Sequence, residues 1–412
     1  MYTTKRNYSI LLGNAIDHFD TALYGFLAPI FASSFFPSSD PIISLILAYS
    51  VFATTIVTRP LGSYIFGMIA VTHGPAMSLS YSLIGVAVST FALGFLPTYE
   101  HIGPWAPALL IVLRSLSGVF SAGEITIAKL YILSEKDVIP RQSRSMTTNK
   151  SSYLYQTSTI VGIVTASFVS TIVLIQGNWH YWRLCFLIGG ITALFGYVLR
   201  VYRTEKLSLT KQQLLKLYSV GGIKTLWQNK MLLLRIAIVT GFSYITYSLP
   251  FIVMNNLVPQ FTNINLEKMM QANTALLVMD MVLLPVIGAR LAKKGSKNTL
   301  LVGAILLLIT SPIMWSFAKD ASFAYLMFIK IWIIIIGVAF SCKINLWSND
   351  LIKEKEKYLI VGIGGSIGSA TIGKMTPAIC LGLYHYFISP MVLAWFVVVI
   401  AVGTIWAIAG KE

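Results

Sequence analysis

Twelve apolar stretches, each long enough to cross a bilayer, follow one another along the whole chain. They cover about residues 9–33, 42–71, 76–97, 104–134, 150–175, 182–202, 231–258, 271–292, 298–317, 322–348, 358–384 and 388–409. A spanning helix needs about 20 predominantly apolar residues. Backbone groups in hydrocarbon must be hydrogen-bonded within the protein, so only helices and closed barrels are open to such segments. Runs this long without alternation are helical. Only 11% of the 412 residues are charged and mean hydropathy is +0.74, against about 25% charged in soluble domains. The expected fold class is all-α and integral to the membrane, with twelve transmembrane helices.

The formal net charge is +16, from 31 Lys and Arg against 15 Asp and Glu. The basic residues gather in short loops, which points to membrane topology rather than nucleic acid as their cause. With the N-terminus in the cytoplasm, Lys136, Arg141, Arg200, Arg203, Lys293, Lys294, Lys353 and Lys355 all fall on that side. The opposite side receives only Arg183, Lys268 and Lys319. The chain is therefore expected to run N-in and C-in. The longest polar connection, residues 203–230, separates an N-terminal six-helix bundle (1–202) from a C-terminal one (231–412). Within it, Leu214, Leu215, Leu217 and Tyr218 suit either a short helix lying on the membrane or a plain solvated linker. The halves share a glycine spacing: GMIAVTHG at Gly67–Gly74 and GARLAKKG at Gly288–Gly295 stand at the same place in each. Two parallel six-helix repeats are the expectation.

Charges left inside the spans are the candidates for function, because an ionised side chain at mid-membrane costs about 2.5–3.5 kcal/mol on insertion scales. The stretch GNAIDHFDTALYG, Gly13–Gly25, carries two of them. Asp17 and Asp20 lie about 60° apart on a helix, on one face with Asn14 and Tyr24. That face must look into protein or a wet cavity. From span direction, Arg59 and Glu124 fall at a depth similar to Asp17, so Asp17, Arg59 and Glu124 form either a proton-handling network or a clamp between helices. His18 is either a proton relay or a hydrogen-bonded histidine. Arg114 and Lys330 are mid-membrane cations, which suggests an anionic ligand group; Lys330 could instead pair with Asp280. Lys129, Lys343 and Arg235 lie near cytoplasmic ends, where snorkelling is expected. Lys374, in a glycine-rich span, is a candidate gate residue. The expected roles are proton coupling for Asp17, Asp20 and Glu124, substrate binding for Arg114, Lys330, Tyr24 and Asn14, and gating for Arg59, Asp280 and Lys374.

Soluble-enzyme signatures do not occur: no P-loop, no GxGxxG after a strand, no HExxH, no nucleophile elbow. Cys185, Cys342 and Cys380 lie in or beside apolar segments without ligand spacing and read as small hydrophobes. No metal, cofactor or enzymatic activity is expected. The first apolar segment is too long, and holds too many acids, for a cleavable signal peptide.

The stretch GNAIDHFDTALYGFLAPIFASSFFP resembles the first span of the metabolite:proton symporters of the major facilitator superfamily, the proline/betaine, α-ketoglutarate, shikimate and citrate carriers. The resemblance continues through TRPLGSYIFGMI (Thr58–Ile69), IGPWAP (Ile102–Pro107), SGVFSAGE (Ser117–Glu124), WRLCFLIGG (Trp182–Gly190) and YVLR (Tyr197–Arg200). It thins in the C-terminal half to Gly241–Phe261 and Gly288–Gly295. It implies alternating access around a cavity lined by spans one, four, seven and ten. It carries the first-span acid, the Arg of RPLG and the fourth-span Glu onto Asp17, Arg59 and Glu124. One departure stands out. The loop after span two usually reads G-x-x-x-D-[RK]-x-G-R-[RK], and here Val71, Thr72 and Pro75 occupy the acidic, first basic and Arg positions. The second copy keeps Lys293, Lys294 and Lys297 but has Ala292 for the acid. The resulting expectation is a monomeric, multi-pass transporter of the bacterial inner membrane. Its partners would be lipid, protons and a small organic solute, a carboxylate before a zwitterion, carried by proton symport. The alternatives are an exporter of a polycarboxylate such as a citrate-type siderophore, and a non-transporting sensor.

Overall fold

A computed structural model of the chain describes residues 2–134, 144–176, 179–201, 226–351 and 357–410. Each apolar stretch is helical where it is described. Span 1 is Tyr2–Phe26 continued by Ala28–Phe35, and span 2 is Pro41–Ser50 continued by Thr55–His73. Spans 3 to 6 are Pro75–Gly94, Trp105–Ser134, Arg144–Ile175 and Trp182–Val201. Span 7 is Lys230–Ser248 with Met254–Phe261. Spans 8 to 10 are Leu266–Leu291, Ser296–Ser316 and Phe323–Asp350. Span 11 is Lys357–Gly368 with Thr376–Phe387, and span 12 is Met391–Ala409. Among the described residues, nine of these are long and apolar enough to cross a membrane on length and composition alone. The described residues contain no strand. The expected connection at 203–230, with Leu214–Tyr218, falls outside the described residues up to 225.

Local sequence sets the helix ends. Gly74 adopts φ 95°, which a side chain would resist, and Pro75 then starts span 3 where its missing N–H costs nothing. Asp40 caps the start of Pro41–Ser50 through the Ile42 amide at 2.8 Å. Spans 7 and 11 each open into a π-helical turn, at Leu249–Val253 and Ser369–Gly373. Pro250 lies in the first and Gly373 in the second. Loss of a donor and loss of a side chain are the usual causes of such a bend. Glycine-rich span 11 is thus bent.

The chain forms two compact units, residues 1–27 with 54–228, and residues 28–53 with 229–412. Within the first, span 1 packs on span 5, span 2 on span 4, and span 3 on span 6. Within the second, span 7 packs on span 11, span 8 on span 10, and span 9 on span 12. The pairing pattern is the same, offset by six helices, so the internal repeat hinted at by the glycine spacing is a repeat of packing.

The paired spans meet at corresponding glycines. A Cβ on Gly162 would run into the backbone carbonyl of Ala15, and one on Gly368 into that of Ala237. Small residues let spanning helices approach to backbone contact, where dispersion replaces the missing hydrophobic drive. Gly368→Ala is therefore expected to cost about 1–3 kcal/mol by overpacking. Gly362→Ala in the same span, with nothing within 4 Å of its added methyl, should be neutral. Thermal unfolding of the two variants in detergent measures the difference, and equal midpoints would mean the contact yields freely.

Candidate functional site: two buried cation clusters

In the first unit, Asp20 is buried and fully hydrogen-bonded. Its Oδ1 accepts from Thr90 Oγ1 at 2.8 Å. Its Oδ2 accepts from Arg114 Nη1 at 2.8 Å and from Ser117 Oγ at 3.3 Å. Span 1 therefore reaches spans 3 and 4 through one carboxylate. Arg114 is buried too, at 6% exposure. Its guanidinium carbon stands 4.4 Å from the centre of the Tyr24 ring and 5.4 Å from that of Phe186. Both faces of the cation-binding rings favour positive charge there.

Arg114 is only half used. Its Nε and Nη2 are buried and have no hydrogen-bond partner among the described residues. These two nitrogens share one edge of the planar guanidinium, the edge whose parallel N–H bonds match a carboxylate. Buried donors left unpaired cost about 1–3 kcal/mol each, so the edge is suited to a group that arrives and leaves.

The second unit holds Lys330 at 0% exposure. Among the described residues no ion pair joins it to Asp280: Nζ donates to Asn255 Oδ1 at 2.7 Å and Asn273 Oδ1 at 3.4 Å. Asn255 is itself fixed, donating from Nδ2 to the Phe251 carbonyl at 2.6 Å. Asn256 donates to Tyr49 Oη at 2.8 Å. These bonds tie the π-helical turn of span 7 to spans 8 and 10 and to the start of span 2.

The remaining sequence candidates separate. Asp17 is buried, and His18 Nδ1 is 4.0 Å from it. The same Nδ1 lies 2.9 Å from the Asn14 carbonyl, which can only accept, so that nitrogen carries the proton. Asn14, on the expected solute face, donates to Ser158 Oγ and Thr159 Oγ1 at 2.8 Å each, holding span 1 to span 5. Among the described residues no hydrogen bond or ion pair joins Asp17 to Arg59, which is buried with Nε unpaired. The side chains of Glu124 and Lys129 lie outside the described residues. Asp280 is buried in span 8, and Lys374 Nζ stands 5.4 Å from the centre of the Phe52 ring.

Snorkelling is the wrong account of Arg235 and Lys343. Arg235 is buried and donates to the Ala407 and Gly410 carbonyls at 2.6 and 2.7 Å. Lys343 is buried and donates to the Lys294 carbonyl at 2.9 Å. The last carbonyls of span 12 lack intrahelical partners, and Arg235 satisfies them inside the protein; Lys343 does the same for a carbonyl in the turn after span 8. The sequence reading passed over Thr90, Ser117, Phe186, Asn255 and Asn273. The run FIVMNNLV carried a usable signal for Asn255, since adjacent amides in a spanning helix need partners. A single Thr or Ser in an apolar helix carries no such signal.

The family described as Major Facilitator Superfamily matches residues 10–371. The chain is 27% identical to the alpha-ketoglutarate permease of Escherichia coli (strain K12), over 97% of this chain and 92% of that protein. It is 24% identical to the citrate-proton symporter of Klebsiella pneumoniae, over 91% and 84%. Its backbone is similar to the crystal structure of a D-xylose-proton symporter, with a TM-score of 0.74, covering 98% and 97% of the two chains at 12% identity. These relatives are carriers, not enzymes.

Proposed function

Because the chain belongs to the Major Facilitator Superfamily, we propose that this multi-pass transporter is a proton symporter of a small organic carboxylate. It works by alternating access, as a monomer in a bacterial cytoplasmic membrane, with both termini inside and with six-helix bundles at 1–202 and 231–412 as its moving halves. The single observation behind the substrate class is the unpaired Nε and Nη2 edge of Arg114. The full-length relatives named for α-ketoglutarate and for citrate with protons are in keeping with it.

The same geometry suggests how the proton is coupled. At rest Arg114 and Asp20 neutralise one another at 2.8 Å. A substrate carboxylate on the free edge sets two anions against one guanidinium. In a low-dielectric site that leaves one uncompensated negative charge, which is costly to enclose. A proton on Asp20 removes it, so the loaded carrier closes only when protonated. Asp17 and Glu124 remain the candidate acids for relaying that proton to the cytoplasm.

Uptake into proteoliposomes of labelled 2-oxoglutarate, citrate, shikimate, proline and betaine tests this reading. An inward proton gradient is expected to drive accumulation of a di- or tricarboxylate, and Asp20→Asn is expected to uncouple it, leaving exchange without accumulation. Accumulation that ignores the proton gradient, or counterflow of none of the five, would overturn the symport assignment.

A further inference from the structure

We infer that Asp280 is a second proton carrier of this protein, a carboxyl group that is neutral while protein encloses it and ionises when water reaches it. The inference rests on the proton-coupled reading above and extends it to the second unit.

Asp280 lies about 21 Å from one end of span 8 and about 16 Å from the other at 1.5 Å per residue. It is 7% exposed. Asp20, also buried at 4% exposure, has an arginine and two hydroxyls. For Asp280 no hydrogen bond or ion pair occurs among the described residues. Span 10, which packs on span 8, carries two buried lysines, and both are committed elsewhere. Lys330 is held by the two asparagine oxygens, and Lys343 reaches the Lys294 carbonyl. Among the described residues a thiol and a phenol are also within electrostatic reach of Asp280. Cys342 of span 10 sits on the Leu284 carbonyl at 3.7 Å, one helical turn from Asp280. Tyr247 of span 7 is within electrostatic reach of it. The Tyr247 Oη is buried and has no hydrogen-bond partner among the described residues, so it is a donor with capacity to spare for the state in which the acid is charged.

An ionised carboxylate enclosed at this depth without a cation is unstable, and the usual escape is to take up a proton. The bend in span 7, which packs on span 8, is the place where the fold can give and let water in: the Leu249–Val253 turn follows Tyr247 by two residues. A carboxyl group that alternates between these two conditions moves a proton each time it does so.

Infrared difference spectroscopy of the purified full-length protein in liposomes reads this directly. Wild type minus Asp280→Asn at neutral pH is expected to show the carbonyl stretch of a protonated carboxyl group, downshifted in heavy water and absent in alkaline buffer. Asp280→Glu should keep the band at a shifted frequency, and carries the test if Asp280→Asn does not fold. Spectra that differ only in the stretches of an ionised carboxylate would overturn the inference. The measurement needs no solute. The band in a protein that moves none of the five acids and osmolytes would leave this assignment standing and remove the carrier reading, whereas gradient-driven uptake without the band would do the reverse.

Discussion

Arg114→Gln is expected to abolish transport and to destabilise the protein at the same time. Hydrogen bonds to a charged group contribute about 1.5–3 kcal/mol each. Losing the pair offered by the free edge should therefore lower solute affinity at least about a hundredfold, at 1.4 kcal/mol per decade. The same change strands the Asp20 carboxylate, buried at 4% exposure with only Thr90 and Ser117 as donors. Removing one partner of a buried ion pair typically costs about 3–5 kcal/mol. Adding Asp20→Asn takes away the stranded charge, so the double variant should recover most of the lost thermal stability while transport stays absent. That non-additivity is the mark of a coupled pair. Arg114→Lys should keep part of the stability and little of the transport, because an ammonium has no planar fork to offer a second carboxylate. Thermal unfolding in detergent and counterflow of labelled 2-oxoglutarate separate the two effects. Normal counterflow in Arg114→Gln would move the anion site away from this residue altogether.

The second large effect is an asymmetry at Lys330. Asn255→Leu leaves an ammonium at 0% exposure with Asn273 alone, at 3.4 Å. It also frees the Phe251 carbonyl inside the bent turn of span 7. A loss of about 3–5 kcal/mol is expected, as for any buried charge deprived of its main partner. Lys330→Met removes the charge itself. It leaves two amide oxygens to find other donors, and the net change should stay within about 2 kcal/mol, since replacing a buried ion by an apolar residue of similar size is often neutral. The smaller chemical change at Asn255 is thus the more damaging one. Equal melting points for the two variants would show that Lys330 is not charged in the folded protein. Retention of dicarboxylate transport in Lys330→Met would confine anion recognition to Arg114.

Much of this architecture was legible beforehand because the bilayer leaves so few options. Length and apolarity alone call for spanning helices, and the glycine spacing at Gly67–Gly74 and Gly288–Gly295 pointed to the repeat that the packing of spans 1 to 6 and 7 to 12 displays. The buried ions were legible for the same reason: Asp20, Arg114, Asp280 and Lys330 are conspicuous in hydrocarbon. Their partners were not. Depth along a span can be read from chain direction, but rotation about the helix axis depends on which neighbour it meets. Asp17 and Asp20 were expected to share one face with Asn14 and Tyr24; Asp20 turns to Thr90 and Arg114. Asn14, counted on that same face, turns to span 5. Arg235 and Lys343 were expected to snorkel; instead Arg235 closes the end of span 12 and Lys343 bonds the turn after span 8, both from within.

What the amino-acid order settled unaided is the class of fold, the places where helices start and bend, and the short set of charges that must be explained. Each of these follows from local chemistry or from the solvent: a missing N–H at proline, a missing side chain at glycine, the absence of water in hydrocarbon. Which charges neutralise one another was decided only in three dimensions. Arg114 meets Asp20 across 94 residues and Lys330 meets Asn255 across 75. Electrostatic pairing in a low-dielectric interior is decided by a few ångströms of separation, and those are set by helix packing rather than by position in the chain. Among the described residues the same packing leaves one edge of Arg114 and the carboxyl group of Asp280 without hydrogen-bond partners, and it is there that solute and proton are expected to act.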